Sequence, residues 1–308
     1  MKTSIRDREV LQAIGPYRLA AYLRASGWSE AHSTAGVKSV WTRVLDHEEY
    51  EVLVPLAHDL RDYALRMAEV LHTLEAVEDR PQQEVLRDIE TATADVVRIA
   101  AEGESTADFS IPIEAGVRMV ENARDLVLAA ACAAVRPRPV FPTRKPAQAI
   151  DYLSKVRLGQ TERGSFVLNI ESPVPVALEG QQRLVLAPGD DEPFERRVTR
   201  TLMQALVGVR NAAAEGAAHG KLDPFTAAVE KGVSANLCDA LVGLQEGTGA
   251  QALSIWVHWA TARAMEPLSG LQSRVTFTKD VLPVLKEVSL QFRASAPREE
   301  FELRGVPV

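Results

Sequence analysis

Seven basic side chains between residues 136 and 163 give this chain its most evident binding chemistry. They are Arg136, Arg138, Arg144, Lys145, Lys155, Arg157 and Arg163. Only Asp151 and Glu162 oppose them, so seven bases and two acids leave +5 in a chain whose net charge is −7. Guanidinium and ammonium groups bind phosphate and carboxylate oxygens through charge-assisted hydrogen bonds. A cationic cluster that opposes the overall sign of the protein therefore predicts an anion site.

The elements that must position these bases are a stiff connection, a short helix and a hairpin. Four prolines between residues 137 and 146 restrict the backbone. The spacing predicts a helix over 147–155, then strands at 156–161 and 165–170 with Arg163 at the tip between them. If the helix folds back, the connection and the tip approach each other and present their charges together. The alternative is that Arg144 and Arg163 pair with local carboxylates such as Asp151 and Glu162.

A second set of candidate residues lies on two predicted strands, 252–259 and 273–278. Side chains alternate between the two faces of a strand. If these strands pair, one face carries Trp256, His258, Arg274 and Thr276. Such a face can stack on and hydrogen-bond a nucleotide or a single strand of nucleic acid. An ordinary solvent-exposed antiparallel face is the competing interpretation.

Catalytic and cofactor motifs are missing from the sequence. It contains no GxxxxGK[ST] phosphate loop, no GxGxxG after a strand and no GxSxG nucleophile motif. The six histidines lie far apart, without the spacings that hold zinc. The acidic run 190–192, with Glu195 one turn later, is explained by capping of the helix that follows it. We therefore predict neither a cofactor nor a metal site.

Composition is that of a soluble globular protein, with 308 residues, 46% hydrophobic and 25% charged. No apolar run approaches the length of a membrane span, so we expect no membrane partner. The first ten residues lack the apolar core of a signal peptide. Cys132 and Cys238 both fall in apolar, helix-like segments, which indicates buried free thiols. Together these features predict a cytoplasmic protein.

The order of predicted elements indicates an α+β fold with two similar halves. Residues 38–135 and 156–293 each read as hairpin, helix, helix, hairpin, helix, which favours a duplication related by a pseudo-two-fold axis. Chance is the alternative, because α+β chains draw on few element orders. The predicted domains are an N-terminal half (1–135), a proline-rich basic connector with a short helix (136–155) and a C-terminal half (156–308).

Apolar periodicity predicts which side of each helix is buried. In the helix at 111–135 it directs Ile113, Val117, Val120 and Val127 inward. In the helix at 194–213 it directs Leu202 inward. Strands at 38–45 and 50–56 are predicted to form one hairpin and strands at 94–100 and 106–111 a second, and residues 29–37 read as a polar loop.

The sequence leaves three functional hypotheses open. The first is a non-enzymatic binding protein whose basic stretch binds an anionic partner, nucleic acid or a nucleotide. The second is a structural or assembly subunit of a larger cytoplasmic complex or homo-oligomer, in which the same stretch docks on an acidic protein surface. The third is an enzyme whose site carries no motif. An isoelectric point near 5.5 weighs against binding of long polyanions.

Overall fold

The computed structural model describes residues 4–103, 111–159, 167–175, 192–219, 223–262 and 274–295. Helices and antiparallel strands occur together, which confirms the predicted α+β class. The helices are α1 (Arg8–Ala13), α2 (Pro16–Ala25), α3 (Tyr63–Glu78), α4 (Gln82–Glu90), α5 (Ile113–Val135), α6 (Ala147–Lys155), α7 (Phe194–His219), α8 (Asp223–Ala228), α9 (Ala235–Thr248) and α10 (Leu282–Ser295). The strands are β1 (Ser29–Thr34), β2 (Lys38–Leu45), β3 (Glu48–Pro55), β4 (Ala94–Glu102), β5 (Arg157–Leu158), β6 (Val167–Pro173), β7 (Ala252–His258) and β8 (Arg274–Thr278).

The chain forms two compact units, neither of which is continuous in sequence. Unit 1 comprises Met1–Val96, Glu171–Pro193 and His258–Ser269. Unit 2 comprises Val97–Ile170, Phe194–Val257 and Gly270–Val308. This grouping differs from the three segments predicted from the sequence, and that domain division stays a prediction.

The hairpin predicted at the start of the chain is present in unit 1. Strands β2 and β3 pair antiparallel, with Trp41 opposite Val52. Asp46 and His47 form the turn with positive φ angles of 51° and 67°. Two consecutive left-handed residues give the turn a twist that matches the twist of the flanking strands. Trp41 and Val52 are both buried, so this hairpin contributes its inner face to the core of unit 1.

Strand β1 corrects the prediction of a polar loop at residues 29–37. It pairs antiparallel with β2, and all six of its side chains are exposed. The segment has no buried face, so its sequence lacks the alternation from which a half-buried strand is predicted. Backbone hydrogen bonds to β2 determine its conformation, and these are independent of side-chain type.

The remaining strands form a five-stranded sheet in the order β5-β6-β4-β7-β8. The predicted pairing of β7 with β8 is confirmed, with Ser254 opposite Thr276 and Trp256 opposite Arg274. Both edges of β4 are occupied, by β6 and β7. The strand predicted at 106–111, intended to pair with β4, lies outside the described residues except for Ile111, which is in no strand. The predicted duplication stays a prediction.

Helix α5 is the centre of the helical layer in unit 2, packing against α6, α7 and α9. Two glycines of α9 allow a close approach. A Cβ atom on Gly243 would lie 1.9 Å from Asn122 Oδ1, and one on Gly247 would lie 3.0 Å from Arg118 Cβ. The absence of side chains at these two positions of α9 therefore makes room for Asn122 and Arg118 of α5.

The buried face of α5 is not the face that the sequence predicts. Val127 is buried, but Ile113 is 81%, Val117 50% and Val120 41% exposed. The buried residues of its first half are instead Ala115, Met119 and Ala123. Ile113, Val117 and Val120 therefore lie on the side of α5 that its neighbouring helices do not bury. By contrast, Leu202 of α7 is 1% exposed, as predicted.

Candidate functional site

The proline-rich segment at residues 136–146, here called the connector, is fixed to the first turn of α9. The amide of Ala235 donates to the Pro139 carbonyl at 2.8 Å. The amide of Phe141 donates to Asn236 Oδ1 at 2.9 Å, and the Phe141 ring is buried. Proline restricts the backbone of the connector, and these two bonds anchor it. The connector is thus a well-positioned surface feature of unit 2.

Three arginines of the connector have side chains that are free to bind. Arg136, Arg138 and Arg144 are all exposed. Within the described residues, their guanidinium groups take part in none of the hydrogen bonds or ion pairs that hold this unit together. Asp151, the local acid proposed as a partner for Arg144, binds Lys155 instead. The guanidinium N–H donors of these three arginines are therefore available to bind an anion, as the sequence predicts for this segment.

Both lysines of the predicted anion site already bind other groups of the chain. Lys145 Nζ donates to the Pro142 carbonyl at 2.7 Å and to the Phe141 carbonyl at 3.3 Å, so it braces the connector from inside. Lys155 Nζ lies 2.8 Å from Asp151 Oδ2 and 3.6 Å from Glu195 Oε1. The hydrogen bond to Asp151 raises the pKa of Lys155. Fewer basic side chains are therefore available to a ligand, because Lys145 and Lys155 already bind acceptors of the chain itself.

The two remaining basic residues lie apart from the connector in sequence. Arg157 is exposed on β5, which follows α6. Arg163 lies outside the described residues, as does the predicted hairpin tip around it. The expected approach of tip and connector therefore stays a prediction.

A cavity of about 270 Å³ lies beside the connector, between α5, α9 and α10. Its lining includes Asp125, Cys132, Lys145, Asp239 and Arg293. Asp239 accepts hydrogen bonds from Ser289 and Arg293. Burial raises the pKa of the Cys132 thiol, and the nearby Lys145 ammonium opposes that shift. The thiol therefore stays protonated at neutral pH, which removes the reactive form of the only nucleophilic sulfur in this lining.

The predicted polar sheet face is formed in part, but its groups bind one another. Thr276 Oγ1 lies 2.9 Å from Ser254 Oγ. The Arg274 guanidinium lies 4.6 Å from the centroid of the Trp256 ring and donates to Glu102 at 3.0 Å. The cation therefore covers the ring surface on which a base would stack.

His258, the fourth residue predicted for that face, is the last residue of β7 and is half-buried, as Trp256 is. Its Nε2 atom lies 3.6 Å from Asp88 Oδ1. The structure therefore brings Trp256, Arg274 and Thr276 together on the paired strands, and His258 lies two residues beyond Trp256 in the same strand.

One polar network of unit 1 has no counterpart among the predicted sites. Tyr22 donates to Glu78 at 2.7 Å, and Arg80 binds Glu78 at 2.7 Å and Asp88 at 2.8 Å. A cavity of about 450 Å³, also lined by Arg43, borders this network. Burial, followed by the Glu78 carboxylate, raises the pKa of Tyr22, so its phenol is a donor and not a base. Only Glu78 and Arg80 are close in sequence, so no motif could reveal the set.

Two further kinds of site were sought in the part of the chain that the structure describes. No group of three or more histidine, cysteine, aspartate or glutamate side chains there is arranged to hold a metal ion. None of its helices combines the length and the apolar character needed to cross a membrane.

Comparison with known proteins assigns no relative: no protein family matches the chain, and no curated protein or solved structure is similar to it.

Proposed function

We propose that this chain is a non-enzymatic binding protein whose connector binds an anionic partner, nucleic acid or a nucleotide. One observation supports the proposal most directly. Arg136, Arg138 and Arg144 are exposed and have no side-chain partner among the described residues, although carboxylates are abundant in this acidic protein. Arginines with vacant donors on a fixed backbone suit recognition of phosphate oxygens.

The anchoring of the connector favours binding energetically. Association is opposed by the entropy lost when loops and side chains become ordered. The bonds from Ala235 and Asn236 and the internal bonds of Lys145 have already ordered this backbone before any partner arrives. A partner therefore has to immobilise only the three arginine side chains.

The number of free arginines predicts a short contact with nucleic acid. Each phosphate contact with a single strand contributes about −0.7 to the slope of log K against log salt concentration. Three contacts therefore predict a slope of about −2. The net charge of −7 opposes a longer contact, so we expect weak binding that is lost at high salt.

Binding of labelled single-stranded DNA and RNA between about 50 and 200 mM salt tests the proposal. The triple variant Arg136→Glu/Arg138→Glu/Arg144→Glu is expected to abolish binding while melting like the wild type. The matched pair is Arg144→Gln and Lys155→Gln, each of which removes one exposed positive charge. We expect the first to weaken binding and the second to leave it nearly unchanged, because Lys155 is already paired.

Two outcomes would contradict nucleic-acid binding. One is failure of the wild-type protein to bind either strand, or a labelled nucleotide, at the lowest salt concentration. The other is equal binding by the wild type and the triple variant. If the triple variant instead loses only self-association, measured by light scattering, the assembly-subunit hypothesis replaces the one proposed.

A further inference from the structure

An apolar groove crosses the surface of unit 2 between α5, α6, β5 and β6. It encloses about 240 Å³. Its walls include Val120, Val127, Leu153, Leu158, Leu168 and Ile170. Leu168 and Ile170 are buried and form the base, whereas Val120 is 41% and Leu158 is 60% exposed and both stand at its margins. The groove is therefore an apolar depression that opens to the surface.

The apolar surface continues beyond the groove along α5. Ile113, Val117 and Val120 follow one another at helical spacing, and Ile113 is 81% exposed. On the other side, Ile150 of α6 precedes the groove residue Leu153 by one turn and is 47% exposed. Isolated exposed apolar residues are common, but a continuous apolar surface is typical of a binding interface.

Among the described residues that line the groove, the ionisable ones are Arg124 and Arg157, both basic. Arg157 has no side-chain partner among the described residues. Arg124 pairs only with its neighbour Asp125 at 2.8 Å, and both side chains are more than half exposed. An exposed pair of this kind contributes little stability, so a better acceptor can displace it.

The shape of the groove favours a helix over a strand as its occupant. Strand β5 lies at the edge of the sheet, and its described part, Arg157–Leu158, offers only two residues for an added strand to pair with. The apolar surface of α5 from Ile113 to Arg124 is about 16 Å long, at 1.5 Å per residue. That length corresponds to three turns of a helix lying along it.

We propose that this groove binds an amphipathic helix of another protein, one with apolar residues on one side and aspartate or glutamate beside them. The apolar residues would enter the groove between Val120 and Leu158, and the carboxylates would bind Arg124 and Arg157. The site is separate from the arginines of the connector and does not rest on the function proposed for them.

Fluorescence anisotropy with the full chain and a labelled peptide tests this site. The probe is a synthetic helix of about 18 residues with leucine at positions i, i+3, i+4 and i+7 and glutamate beside them. A second probe carries lysine in place of every glutamate. We expect the glutamate probe to bind and the lysine probe to bind at least about tenfold more weakly.

Two leucines with similar exposure provide matched variants. Leu158 is 60% exposed in the groove, and Leu290 is 64% exposed on α10. Leu158→Asp is expected to weaken binding of the glutamate probe about tenfold or more, because a charge replaces a buried apolar contact. Leu290→Asp is expected to leave it unchanged. Thermal melts of both variants should match the wild type, since neither side chain is in the core.

A charge exchange separates docking from a structural effect. Arg157→Glu should weaken binding of the glutamate probe and strengthen binding of the lysine probe, a reversal that loss of folding cannot produce. Equal binding of the two probes, or equal effects of Leu158→Asp and Leu290→Asp, would overturn the proposal. So would a wild-type dimer that becomes monomeric in Leu158→Asp, because a second copy of the chain would then be the occupant.

Discussion

The two faces of α5 differ in a way that hydrophobicity alone does not explain. The face that packs against α7 and α9 is rich in alanine and includes the buried Met119. The opposite face carries the larger β-branched residues Ile113, Val117 and Val120, which are exposed. In the first half of this helix the β-branched residues are exposed, whereas Leu126, Val127 and Leu128 of the second half are buried.

The neighbours of α5 account for the difference. On α9, Gly243 lies against Asn122 and Gly247 against Arg118, so the absence of side chains at these two positions makes room for two polar residues of α5. The packing of α5 against α6, α7 and α9 therefore determines which face is buried, and Ile113, Val117 and Val120 remain exposed.

The largest expected loss of stability comes from a substitution on the buried side of α5. Met119 is fully buried, whereas its neighbour Val120 is 41% exposed. Met119→Ala should lower the free energy of unfolding by about 2–5 kcal/mol, because a cavity remains where the side chain was. Urea denaturation measures the change. A loss below about 0.5 kcal/mol would show that the buried face is assigned incorrectly.

The second expected effect concerns the close contact itself. Gly243→Ala places a Cβ atom against the Asn122 side chain, whose Nδ2 donates to the Arg118 carbonyl at 2.7 Å. Breaking that hydrogen bond should cost about 1 kcal/mol, which offsets the gain in helix propensity, so the variant should be no more stable than the wild type. The control is Gly116→Ala in α5, where the nearest atom, Ile111 Cδ1, is 3.7 Å away.

Gly116→Ala should instead stabilise the protein by up to about 1 kcal/mol, because alanine is a better helix former than glycine. Melting temperatures of the two variants, compared with the wild type, measure both changes. Equal effects would show that the α5–α9 distance does not depend on Gly243.

The third effect is a dependence of stability on alkaline pH that originates in α9. Burial, followed by the charge of Asp239, raises the pKa of Cys238 from 9.0 to about 12. The folded state thus holds the thiol proton more tightly than the unfolded state does. Stability from this group is complete below pH 9 and declines as the pH rises towards 12.

Urea denaturation at several pH values above 9 measures the decline. The wild type should lose up to about 1.4 kcal/mol more per pH unit than Cys238→Ala. Burial also raises the pKa of Tyr63 to about 12. Because Tyr63 is present in both proteins, its contribution cancels when the slope of the wild type is compared with that of Cys238→Ala. Identical slopes would indicate that the thiol is not buried between the helices.

The smallest expected effect is on the exposed face. Val120→Ala should change the free energy of unfolding by no more than about 0.5 kcal/mol, because little of the side chain is removed from water. Together with Met119→Ala, this variant compares two adjacent residues of one helix, one buried and one exposed. A cost near that of Met119→Ala would remove the distinction between the faces.

Much of the fold was predictable where the pattern of side chains is strong. Leu202 of α7 lies in the core, as predicted. The β2–β3 hairpin and the β7–β8 pairing are present as predicted, and β8 alternates strictly between exposed and buried residues. Strand β1 was missed because none of its residues is buried.

The candidate site was predicted less completely. Its basic residues are evident in the sequence, but their availability is not. Lys145 and Arg144 are neighbours of like charge, yet Lys145 binds two backbone carbonyls and Arg144 is free. Bonds of this kind depend on how the connector folds against α9, and no local pattern encodes that arrangement.

The sequence by itself determined the α+β class, the position of the cationic segment and the alternation of its clearest strands, because each depends on residues close together in the chain. Only the tertiary structure decided which face of α5 is buried, which bases remain free and that Tyr22, Glu78, Arg80 and Asp88 form one network. These outcomes depend on contacts between distant segments. Both faces of α5 carry apolar residues, so hydrophobicity alone does not distinguish the face that its neighbouring helices bury.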